Sequence, residues 1–67
     1  MKARIEITGR IVELGSVDGL PGEAEVVVEQ LTTGKLLVFR VSEEQVVELA
    51  RAGGYLATVT VAIEVRP

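Results

Sequence analysis

The chain has 67 residues, a net charge of −3, and neither cysteine nor histidine. That length allows one domain, residues 1–67, near the lower limit at which a core alone supports folding. The two missing residue types exclude a disulfide framework, a thiolate metal site and the usual neutral-pH general base, so the expectation is a cytoplasmic, cofactor-free protein that is not an enzyme.

Twelve valines, seven leucines and four isoleucines must supply the core, because Phe39 and Tyr55 are the only aromatic residues. With five threonines, 21 residues are β-branched at Cβ, which favours strands over helices. Charge is uneven: residues 1–12 sum to +2, residues 13–34 to −5, and the rest to zero. That is not the footprint of a broad phosphate-gripping face. The longest uncharged stretch, Ala52 to Ile63, is too short to span a membrane as a helix, and the start lacks the apolar centre of a secretory signal.

From Ala3 to Leu14 the apolar positions begin odd (Ile5, Ile7) and end even (Val12, Leu14), with Gly9 just before the change. One long strand kinked near Gly9 and Arg10 is expected, serving two sides of a small barrel. "GSVDGLPG", Gly15 to Gly22, is a loop. It lacks the following helix of a phosphate-binding loop, and Asp18 with Glu23 falls short of a calcium-loop ligand set.

"VVVEQLTTGKLLVFRV" reads as a hairpin. With Leu31 facing Leu36 across the loop Thr32 to Lys35, Ala24, Val26 and Val28 share an apolar face with Leu37, Phe39 and Val41. An even loop length is required, since a three-residue loop would set Glu29 beside Leu37. The opposite face keeps four large aliphatics, Val27, Leu31, Leu36 and Val38, where a half-solvated strand would carry mostly polar residues.

"SEEQVVELARAGG" is the one helix. Ser42 and Gln45 have capping-box spacing, Glu43 and Glu44 occupy the first turn, and Gly53 is placed to end it in a left-handed conformation. Val46, Leu49 and Ala50 form the expected buried stripe, with Val47 at its edge. The alternation from Tyr55 to Arg66 then predicts one long final strand.

The expected class is mostly β with one helix (α+β), in the order β-β-β-α-β. Three strands, a helix and a fourth strand, the first kinked at glycine, resemble the opening four elements of an OB-fold barrel, with the fifth strand missing. "FRVSEEQVVELARAGGYLATVTV" resembles the strand, capped helix, glycine, strand unit of cradle-loop barrels, without the Gly-Asp pair often seen entering their last strand. The OB likeness implies a small barrel of a kind that often binds nucleic acid.

Four strands and a short helix scarcely close a barrel, so the leading expectation is a non-catalytic protein-interaction or self-assembly module. It would work as a homodimer, joined by strand edges or through Val27, Leu31, Leu36 and Val38. The structural alternative is that the first strand, or its loop with Val17 and Leu20, covers that patch within one chain. A second functional reading is an OB-like nucleic-acid-binding domain, in which Lys2, Arg4, Arg10, Arg40 and Arg66 gather if the first, third and last strands adjoin. A third is a designed or reconstructed scaffold without evolved function, suggested by the agreement of local signals along the chain. Catalysis would fall to groups such as Glu44 and Glu48, one helical turn apart on the solvated face.

Overall fold

Hydrophobic alternation produces four strands and the capped segment after Val41 one helix, in the order β1 (Ala3–Ser16), β2 (Glu23–Gln30), β3 (Leu36–Ser42), α1 (Glu43–Ala52) and β4 (Thr58–Val65). A computed structural model describes residues 3–66. The strands form one antiparallel sheet in the order β3-β2-β1-β4, an open half-barrel with β3 and β4 as its edges. Among the described residues, no helix is long and apolar enough to cross a membrane.

The long first strand changes face as its pattern requires. The break in pairing lies between Ile11, opposite Val28, and Glu13, opposite Val27, so Val12 is the extra residue of a bulge. Gly9 has a different role from the expected kink: a methyl group there would overlap Val28 Cγ1 and lie 2.8 Å from the Glu29 carbonyl oxygen. β1 and β2 pass too closely at that point for any side chain.

In the β2–β3 hairpin, Val26 faces Phe39, Val28 faces Leu37 and Ala24 faces Val41, so the apolar face is the one expected. The register differs by one residue on each strand. Gln30, not Leu31, closes the hairpin by donating to the Lys35 carbonyl at 2.8 Å, which leaves Leu31 to Gly34 as the four-residue loop. Gly34 has φ +71° and donates to the Gln30 carbonyl, while Thr33 Oγ1 accepts from the Lys35 amide. The shift places the left-handed residue on glycine, where it costs little.

The helix starts as its sequence dictates. Ser42 Oγ accepts from the Gln45 amide at 3.1 Å and Gln45 Oε1 from the Ser42 amide at 2.9 Å, a complete capping box. Its end differs: Gly53 has φ 152° and the left-handed residue is Gly54, φ 64°, whose amide donates to the Leu49 carbonyl at 2.9 Å. Val46 and Leu49 are half-buried against the sheet, whereas Ala50 and Val47 are exposed and no helix residue is fully buried. The helix leans on the sheet through two side chains.

β4 begins three residues later than its alternation suggests. The Ala57 amide donates to Gly54, closing a turn, and Leu56 sits at φ +68° with its amide on the Ile11 carbonyl at 2.7 Å. Tyr55 is thereby exposed at the turn instead of entering the strand. The core is small: Ile11, Val26 and Val28 form its centre, with Phe39, Val41, Val46, Leu49 and Val59 partly buried around them.

Candidate interaction surface

The sheet has two faces of opposite chemistry. On the convex face each strand pairing carries an arginine directly opposite a glutamate: Arg4 and Glu64 across β1–β4, Arg10 and Glu29 across β1–β2, Arg40 and Glu25 across β2–β3. The ion pairs measure 3.2, 2.9 and 3.3 Å. Arg4 also reaches Glu6, Arg40 reaches Glu23, and Arg66 reaches Glu64. Exposed pairs of this kind add little stability, but they favour one register over its neighbours.

This arrangement disposes of most of the basic residues singled out from the sequence. Arg4, Arg10, Arg40 and Arg66 each hold a glutamate, and β3 and β4 stand at opposite edges of the sheet, so Arg40 lies apart from Arg4 and Arg66. Lys2 lies outside the described residues. A phosphate backbone would have to displace a carboxylate at Arg4, Arg10, Arg40 and Arg66.

The convex hairpin patch is smaller than its sequence suggests. Val27 is only 9% exposed, flanked by Val38 on β3 and Glu13 on β1. Leu36 (60%) and Val38 (61%) are open to solvent at the β3 edge, and Leu31 (51%) stands in the turn. Leu20 of the β1–β2 loop is itself exposed. Glu44 and Glu48 are exposed on α1.

A second apolar surface is on the concave face. The helix covers only one end of it, leaving a cleft of about 180 Å³ lined by Val26, Val28, Phe39, Val41, Leu49 and Val59 among others. Beyond the cleft, β2 ends opposite Gly9, but β1 and β4 continue paired as far as Ala3 and Val65. Residues 3–8 and 60–65 thus form a two-stranded arm. On its concave side Ile5 faces Ile63, Ile7 faces Val61 and Ala3 faces Val65, and Ile5 (59%), Ile63 (49%) and Val65 (56%) are exposed. The alternation of the first and last strands puts these residues on one face of each. The signal available was strand length: 14 residues in β1 against 8 in β2 leaves part of β1 without that neighbour.

No protein-family model, curated protein or solved structure matches the chain.

Proposed function

We propose that the chain is a non-catalytic self-assembly module that works as a homo-oligomer. The observation that carries this reading is its surface. The chain exposes 5001 Å² at 7.2 kDa, whereas a compact monomer of that mass exposes roughly 4,100 Å². Its radius of gyration of 12.8 Å likewise exceeds the roughly 11 Å expected for 67 residues. Ile5, Ile63 and Val65 stand exposed on the concave face, and contiguous exposed apolar surface marks interaction sites. The finer likeness to an OB-type or cradle-loop barrel belongs to the same reading, with a partner supplying the closure that a further strand would give. Nucleic-acid binding is the weaker reading, because Arg4, Arg10, Arg40 and Arg66 already hold carboxylates.

An oligomer gains stability with concentration by mass action. The urea midpoint of the full chain should therefore rise steadily as protein is raised from micromolar to hundreds of micromolar. An unchanged midpoint over that range contradicts self-assembly.

A further inference from the structure

We propose that two copies close onto each other through their concave faces, each laying its β1–β4 arm across the other's apolar cleft about a twofold axis. The proposal rests on the self-assembly reading and adds the surface and the geometry.

Area supports it first. The surface excess over a compact monomer is roughly 900 Å², close to the roughly 800 Å² per partner of a standard interface. Hiding only the convex residues Leu31, Leu36 and Val38 would leave the arm and the cleft wet. Two-stranded ribbons are marginal alone in water, so the outer part of the arm, where Ile5, Ile63 and Val65 are exposed, needs a cover.

Shape and charge then select a second copy. The arm presents a free apolar face about 14 Å long over its outer four residue pairs, short enough to lie within the span of the strands that flank the cleft. Arg4, Glu6 and Glu64 lie on the arm's convex side, so its concave side enters the contact uncharged and no oppositely charged partner is called for. α1 holds Glu43, Glu44 and Glu48 against Arg51 and lies toward the other end of the concave face from the arm. Crossing the arms over the clefts sets the two acidic helices at opposite ends of the pair. The contact is isologous and closes on itself, as a stable dimer requires.

The test combines mass with position. Light scattering on the eluting chain is compared for the native sequence, an Ile5→Glu/Ile63→Glu variant and a Leu36→Glu/Val38→Glu variant, with circular dichroism to confirm folding. Expected are a native dimer, an arm variant whose mass halves, and a convex-face variant that stays dimeric. A convex-face variant that becomes monomeric while the arm variant stays dimeric overturns this interface and leaves self-assembly standing. A native chain that is monomeric at every concentration removes both, and strong binding of an apolar dye by that monomer would mark the face as a site for another occupant. Should the arm variant unfold, a Glu6→Cys chain carrying a spin label is mixed with 15N-labelled native chain. Broadening of amides around Val26, Val28 and Phe39 supports the crossed arms; broadening confined to the surroundings of Leu36 and Val38 contradicts them.

Discussion

At Gly9 a close crossing of two backbones depends on a missing side chain. The Glu29 carbonyl oxygen lies 2.8 Å from where a methyl group would sit, and that backbone is held in the β1–β2 ladder. Gly9→Ala is expected to destabilise the fold by about 1–3 kcal/mol, the range of core overpacking, read as a lower urea midpoint. Leu56 is the converse case, a bulky residue at φ +68°. Left-handed backbone costs a non-glycine residue about 1–2 kcal/mol, so Leu56→Gly should stabilise the chain by about 1 kcal/mol despite glycine's greater freedom when unfolded. A loss of stability on that replacement would mean the exposed leucine makes contacts that outweigh its strain. Neither effect was fully legible in the sequence. Glycine at position 9 announced irregular backbone, but only the pairing of β1 with β2 shows that the irregularity is a close approach. Nothing in "GGYLAT" marks Leu56 as left-handed, because two glycines stand beside it to take that role.

Elements were legible where the signal is local. The capping box needs only Ser42, Gln45 and the spacing between them, and it is complete in the fold. Ser42→Ala should therefore cost about 1 kcal/mol, while Gln45→Ala, which removes the reciprocal bond alone, should cost less. Equal losses in thermal unfolding would show that the box acts as one unit. The shared face of Val26, Val28, Leu37 and Phe39 was readable for the same reason, since alternation fixes which residues lie together once the loop length is even. The exact register was not readable: Leu31 or Gln30 could close the hairpin with the same faces, and the choice falls to Gly34, the residue able to take φ +71° cheaply. Partner identity is likewise invisible in alternation. The arginines at 4, 10 and 40 looked like a scattered basic set until the strand order placed a glutamate opposite each one. Removing one such pair, as in Arg10→Gln, should change stability by less than about 1 kcal/mol. A loss of several kcal/mol in urea unfolding would assign it a larger structural part than its exposure allows.

The whole molecule is a half-barrel whose strands outrun their covering. An excess of apolar strand surface was the expectation drawn from length and composition. Its location was not readable there, because it depends on β1 and β4 extending beyond β2 and β3, a consequence of pairing between residues about 60 positions apart at the arm's tip. The convex patch drew attention because aliphatics there break an otherwise polar face; on the concave face the exposed isoleucines and valines keep the pattern of a core and gave no warning. The two faces make different demands: the convex one satisfies its charges within the chain, and the concave one lacks a lid beyond α1. Sedimentation equilibrium of the full native chain measures the consequence directly. A reversible species of twice the 7.2 kDa chain mass is the predicted result, and a single species of 7.2 kDa across the whole concentration range would contradict it.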